Sequence, residues 1–202
     1  MAGKAGKTGT VPPRRSRATS GAPPTSSPPP SRGMRAFADA RTRALVIGTL
    51  PGQASLAARQ YYAQPQNAFW RVIEDLCGVP RTLPYTQRVA ALLERGIGMW
   101  DVCASAHRPG SLDSSIARES IVANDFARLY RRCPGIELVC FNGATAAALY
   151  RRLVLPTLDA AAAQLRYVVL PSTSPAHASM RYAEKLERWR AVTTAAAARR
   201  KP

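Results

Sequence analysis

Metal-ligand spacing, histidine, acidic residues and long apolar runs are all scarce in this chain. Its four cysteines, Cys77, Cys103, Cys133 and Cys140, contain no Cys-x-x-Cys pair, so neither a zinc site nor an iron–sulfur cluster is expected. His107 and His177, the two histidines, have no acidic or cysteine partner at ligand spacing, so no metal site is expected from them either. Reduced, buried thiols in a cytosol are the expected state. No apolar run approaches the roughly 20 residues that span a bilayer. The N-terminus has no apolar signal core. The chain is therefore expected in the cytoplasm, away from membranes. Neither Gly-x-Gly-x-x-Gly nor a P-loop occurs, which leaves dinucleotide and ATP folds unsupported. Acids number 12 against 29 Lys and Arg, for a net charge of +17. That excess attracts polyanions, of which nucleic acid is the commonest. A basic tail that only aids solubility would explain part of it. Residues 1–43 hold nine Lys/Arg and the single acid Asp39, so about half of the excess remains beyond them.

What is present reads as one domain behind a tail. The 202 residues suffice for a single domain of ordinary size. Residues 1–40, above all 1–35, are rich in Pro, Ser, Gly, Thr and Arg and poor in aliphatics. Such a segment cannot bury enough surface to offset its chain entropy, so a disordered basic tail is expected there, with the folded domain over 41–198. Lys4, Lys7, Arg14, Arg15, Arg17, Arg32 and Arg35 could track phosphates. Prolines argue against a transit helix.

From Thr42 onward, apolar runs alternate with helical periodicity. Strands are expected at 44–49, 97–102, 136–141 and 167–170. Helices are expected at 67–76, 88–95, 116–132, 144–153 and 178–198. This order implies a three-layer α/β/α sandwich around a four-stranded parallel sheet. Ligands of such sheets bind beyond the carboxyl ends of the strands. Thr49-Leu50-Pro51-Gly52, Asp101, Asn142-Gly143 and Pro171–Pro175 all fall at those ends. One site is therefore expected from four separate segments.

The richest stretch is Tyr61-Tyr62-Ala63-Gln64-Pro65-Gln66-Asn67-Ala68-Phe69-Trp70, shortly after Gly48-Thr49-Leu50-Pro51-Gly52. An amide between two tyrosines and a Phe-Trp pair suits a pocket that stacks a flat ring and offers it a carboxamide. The plainer reading is a tight turn before an amphipathic helix with aromatic core residues, Asn67 capping that helix. Asn142 can donate and accept along a base edge, or serve an Asn-Gly turn.

These segments, with Gly98-Met99-Trp100-Asp101-Val102, Arg108-Pro109-Gly110-Ser111-Leu112-Asp113-Ser114, Phe141-Asn142-Gly143 and Leu170-Pro171-Ser172-Thr173-Ser174-Pro175-Ala176-His177-Ala178, closely resemble the uracil-DNA glycosylase superfamily. The branch they resemble is the hypoxanthine-DNA (DNA-deoxyinosine) glycosylases. The resemblance spans about Ala44 to Lys185 and implies the uracil-DNA glycosylase-like fold. It also implies a monofunctional enzyme that hydrolyses the N-glycosidic bond of deaminated bases, chiefly hypoxanthine, in double-stranded DNA. No cofactor is implied. A monomer associated with the nucleoid is expected.

The resemblance distributes roles residue by residue. Asn67 matches the water-placing Asn of the branch, since Leu50 stands where other relatives carry Asn or Asp in the first loop. Tyr62 matches an aromatic that lies on the flipped base, with core packing as its other reading. Asn142 is the expected edge reader, with Gly48 and Leu50 beside it at the base. Ser172, Thr173 and Ser174, with Ser55 and Arg108, are the expected DNA-backbone contacts. Ser172 replaces the histidine that stabilises the leaving base in many relatives, which suits hypoxanthine better than uracil. Ala176 stands where the usual Leu wedge would be, leaving His177 or Met180 to fill the vacated stack. Asp113 is expected to brace the loop by pairing with Arg108. No Lys lies within the segments, so no Schiff-base nucleophile is evident. Two rivals stay open: a uracil or mismatched-pyrimidine glycosylase of the same fold, and a non-catalytic DNA-binding module.

Overall fold

The computed structural model describes residues 1–3 and 29–197. Four short runs form a parallel sheet. They are β2 (Ala44–Gly48), β3 (Ile97–Asp101), β6 (Leu138–Asn142) and β7 (Arg166–Leu170), in the order β3-β2-β6-β7. The first three are buried along most of their length, while β7 at the sheet edge is partly exposed. Every residue of β2 is buried, as a central strand covered on both faces requires. Its alternate side chains feed two cores. Ala44 and Val46 pack with α2 (Phe69–Cys77), α3 (Tyr85–Glu94) and α7 (Tyr182–Ala197). Leu45 and Ile47 pack with α4 (Phe126–Arg132) and α5 (Ala144–Leu153) on the opposite face. The three-layer α/β/α sandwich follows. Fully buried Trp189, Tyr61, Phe69, Phe126, Phe141 and Tyr150 dominate its interior. Truncating any of these rings to Ala would cost about 3–5 kcal/mol. Two short helices, α1 (Gln53–Ala58) and α6 (Ala160–Ala163), lie in the connections.

Several boundaries differ from expectation. A second, antiparallel sheet pairs β1 (Ser31–Arg32), β4 (Cys103–Ala106) and β5 (Val122–Ala123) in the order β1-β4-β5. Phe37 also bridges Met99 on the outer edge of β3. The chain is thus part of the fold from Ser31, ahead of the boundary expected at 41. The expected disorder of residues 4–28 falls outside the described residues.

The helix expected over 116–132 is reduced to α4. Upstream of it lie two 3-10 turns and β5. The break comes at Asp125, whose carboxylate accepts the Arg128 backbone N–H at 2.8 Å and starts a new helix there. The C-terminal helix begins at Tyr182 rather than Ala178. The intervening chain turns back on itself, with the His177 N–H donating to the Ser174 carbonyl at 3.0 Å. Among the described residues no helix is long and apolar enough to cross a membrane.

Candidate active site

The parallel register sets four strand ends level. Gly48 lies opposite Asp101 across β2 and β3, and Asn142 opposite Leu170 across β6 and β7. Ile47 pairs with Phe141, which seats Asn142 beside the end of β2.

Thr173 joins the loops above this edge. Its backbone N–H donates to Asn142 Oδ1 at 2.8 Å, and its hydroxyl accepts from Asn142 Nδ2 at 2.8 Å. Its carbonyl accepts the Ala68 N–H at 2.9 Å. The Asn67 loop, the β6 end and the Pro171–Pro175 loop are therefore tied at one residue. The clamp also settles the Asn142 amide orientation, because a backbone N–H can meet only the oxygen. Thr173 leaves one amide hydrogen and one lone pair of Asn142, with the Tyr62 hydroxyl lying beside that amide. Gly143 follows with φ of 105°, and a Cβ there would lie 3.2 Å from Ser172 Cβ. Glycine thus lets the two loops close on each other.

The N-cap of α2 is Ala68, and Asn67 ties the helix start from one residue ahead of it. Its Oδ1 accepts the Phe69 N–H at 3.0 Å at the start of α2. That bond holds the carboxamide at one angle, with its NH2 group left over. Tyr62 has a left-handed backbone with φ of 57°, a conformation costly for a bulky residue. Its ring stacks on Phe69 with centroids 3.8 Å apart and planes 18° apart. Phe69 covers one ring face, so a base would have to use the other. The surrounding loop is pinned by aromatic side chains. Trp70 Nε1 donates to the Tyr61 carbonyl at 3.0 Å, and the Tyr85 hydroxyl accepts the Tyr61 N–H at 2.9 Å.

Beneath this loop, Asp101 is 3% exposed. Burial is the main cause that pushes its carboxyl up to about 7. The Tyr61 hydroxyl and the Arg108 guanidinium pull the other way, and the Asp113 carboxylate adds to the rise. Its Oδ2 and the Tyr62 hydroxyl are both buried without a hydrogen-bond partner. A Cβ on Gly48 would stand 2.5 Å from Asp101 Oδ1 and 3.5 Å from the Tyr62 hydroxyl. Only glycine leaves room for the carboxylate against β2.

Three residues expected at the DNA backbone are committed internally. Arg108 is buried, and its guanidinium donates to the Leu50 carbonyl at 2.9 Å and to the Pro51 carbonyl. Its ion pair with Asp113 spans 3.8 Å, and Asp113 also accepts from the Thr49 hydroxyl at 2.7 Å. The expected Arg108–Asp113 brace is thus present, and the guanidinium is spent on it and on the two carbonyls. Ser55 is buried, its hydroxyl accepting the Ala63 N–H at 3.2 Å. Thr173 is buried and spent on Asn142. Ser172 and Ser174 stay partly exposed, their hydroxyls accepting the Ser174 and Ala176 N–H groups at 3.2 and 3.3 Å. Leu50 is buried in the core that holds Val102 and Phe126, so it offers the strand end its backbone.

Two residues gain weight over their sequence reading. Lys185, from α7, is buried and donates to the Ser172 carbonyl at 2.7 Å, and burial lowers its ammonium pKa. Nothing in its helical sequence context marks it. Asp101 did carry a signal: it closes the apolar strand Ile97–Asp101 at the edge where such sheets bind ligands.

The chain is similar to known proteins along most of this length. The family model for the Uracil DNA glycosylase superfamily matches residues 35–195. A hypoxanthine DNA glycosylase of Methanosarcina acetivorans is 36% identical over 139 residues, covering 64% of this chain and 87% of that protein. A hypoxanthine DNA glycosylase of Methanosarcina barkeri is 37% identical over 113 residues, covering 55% and 70% respectively. The solution NMR structure of a Methanosarcina acetivorans protein, described as a candidate uracil DNA glycosylase, superposes with a TM-score of 0.68 at 34% identity. That match covers 81% of this chain and 96% of the other.

Proposed function

We propose that this chain, which belongs to the uracil DNA glycosylase superfamily, is a monofunctional DNA glycosylase that hydrolyses the N-glycosidic bond of deaminated bases, hypoxanthine first. Its substrate is double-stranded DNA, and it acts as a monomer at the nucleoid. The observation that carries this reading is the knot at Thr173, which brings two carboxamide loops together above the strand ends. The relatives named hypoxanthine DNA glycosylase support the choice of base.

A base inside a duplex is out of reach, so the target nucleotide must flip into the pocket. Tyr62 stacks on it, backed by Phe69. Asn142 pairs with its N1–H and O6 edge through the hydrogen and lone pair that Thr173 leaves free. The Asn67 carboxamide is neutral and cannot act as a base at pH 7. It orients water and stabilises charge as the glycosidic bond opens ahead of water attack. Ser172 and Ser174, at the rim, contact phosphate. Lys185 is held on the Ser172 carbonyl, so a lyase step has no free amine here.

The test is base release from duplex oligonucleotides carrying deoxyinosine, deoxyxanthosine or deoxyuridine, without added metal. Release of hypoxanthine well above uracil is expected. Equal rates on deoxyuridine move the assignment to the pyrimidine-excising relatives. Binding without release makes the chain a DNA-binding module.

A further inference from the structure

Resting on the glycosylase reading above, we infer that the Asp101 carboxyl is the proton donor to N7 of the departing purine. Asp101 Oδ2 is buried near the end of β2 with no hydrogen-bond partner. The Tyr62 hydroxyl is buried there too, with Asn142 beside it. A buried polar atom without a partner is costly to leave so, and both groups flank the bare Cα of Gly48. Asn142 lies next to the Tyr62 hydroxyl from the neighbouring strand. Two strand ends and the turn that carries Tyr62 thus bring a carboxyl, a carboxamide and a phenol to one place, where the fold positions its ligand. An unpaired, buried carboxyl oxygen in that place is a group awaiting an acceptor.

The chemistry selects which acceptor. Ser172 offers no ring cation to a departing base, so negative charge on the purine needs another remedy. A carboxyl that is still protonated supplies it. The C1′–N9 bond breaks and its electron pair goes to the purine, while the Asp101 O–H proton passes to purine N7. The base leaves neutral. Water then bonds through oxygen to C1′ and loses a proton to solvent, and solvent reprotonates Asp101. No oxidant, reductant or cofactor enters. The groups that face Asp101 are Tyr61, Tyr62, Tyr85, Cys103, Arg108 and Asp113. Of these only Arg108 is cationic, and its guanidinium is engaged by the Leu50 and Pro51 carbonyls. Burial therefore prevails and holds the carboxyl near 7, half protonated at working pH.

The experiment is single-turnover hypoxanthine release from pH 5.5 to 9, for wild type and Asp101→Asn. Substrates are deoxyinosine and 7-deazadeoxyinosine, which lacks the accepting nitrogen. The wild-type rate on deoxyinosine should fall about tenfold per pH unit above roughly 7. Asp101→Asn should flatten that limb and lose about a hundredfold at pH 6. Replacing N7 by carbon should slow the wild type by a similar factor and slow the variant little further. A pH limb that survives in Asp101→Asn, or 7-deaza and Asn losses that multiply, overturns the inference while leaving the glycosylase reading intact. A flat wild-type profile also overturns it. No hypoxanthine release from wild type at any pH sinks the glycosylase reading, and this inference with it.

Discussion

Thr173 grips both ends of the Asn142 carboxamide, donating from its backbone to Oδ1 and accepting at its hydroxyl from Nδ2, each at 2.8 Å. A clamped amide is a preorganised one, since its orientation is set before a base arrives. Thr173→Val keeps the shape but removes the acceptor. The variant should lose roughly tenfold in kcat/KM on deoxyinosine, about 1.4 kcal/mol. Discrimination between hypoxanthine and xanthine should narrow. Thr173→Ser should restore most of both. Competition between the two substrates in one reaction reads the effect directly.

Asn67 is asked to tie the start of a helix and to place water, and the two duties separate by substitution. Asn67→Ser retains an oxygen able to accept the Phe69 N–H. Asn67→Ala retains none and should lose about 1 kcal/mol of stability as well. Both should lose at least about a hundredfold in single-turnover excision. DNA affinity should change far less. A Ser variant with near-normal excision would show that tying the helix start is the whole role of Asn67.

Asp101 links folding to pH. Its carboxyl stands near 7 in the folded chain against an ordinary value of 3.8. The native state therefore holds a proton that the unfolded chain has lost, so stability falls as pH rises between those values. Below about pH 4 this group costs nothing, and above about 7 its full cost applies, on the order of a few kcal/mol. Asp101→Asn removes the dependence. Urea midpoints of wild type and variant should lie close at pH 4 and separate by pH 8, with the variant the more stable. Parallel curves over that range would mean the carboxyl is not raised.

The basic tail should act on association and leave chemistry alone. Deleting residues 1–28 removes Lys4, Lys7, Arg14, Arg15 and Arg17 while keeping β1 and its pairing with β4. Folding should survive. The slope of log affinity for duplex DNA against log salt should flatten by up to about 0.9 for each phosphate that the tail no longer neutralises. Excision within the bound complex should stay within about twofold. An unchanged salt slope would exclude the tail from DNA.

The parallel sheet was legible because its strands are apolar runs of four or five residues, each ending at Gly, Asp, Asn or Pro. The antiparallel sheet was not. Ser31-Arg32 and Cys103-Ala-Ser-Ala have no period-2 pattern of their own, and only pairing makes them strands. The segment 116–132 carries helical spacing, but the Asn124-Asp125 cap and the β4 pairing outweigh it.

At one sheet edge, sequence set together segments that the structure does bring into contact, but it could not say which way their polar groups would turn. Arg108, Ser55 and Thr173 read as phosphate ligands because they are polar residues in the segments that carry the resemblance. Buried loop carbonyls and N–H groups must be satisfied first, and these side chains were the nearest partners. Asp101 stands out in sequence as a strand-end acid, without a role attached. The unpaired state of its Oδ2 is a property of the assembled edge, invisible in the chain.

The Ala68 N–H meets the Thr173 carbonyl at 2.9 Å across loops that lie far apart in sequence. Neither loop can protect that amide alone. Its hydrogen therefore exchanges with solvent only when the two halves of the pocket part, and the exchange rate of this single proton measures how often that happens. A DNA strand that draws the loops together would slow it, and one that docks elsewhere would leave it unchanged. The molecule thus carries its own gauge of pocket opening, readable without turnover.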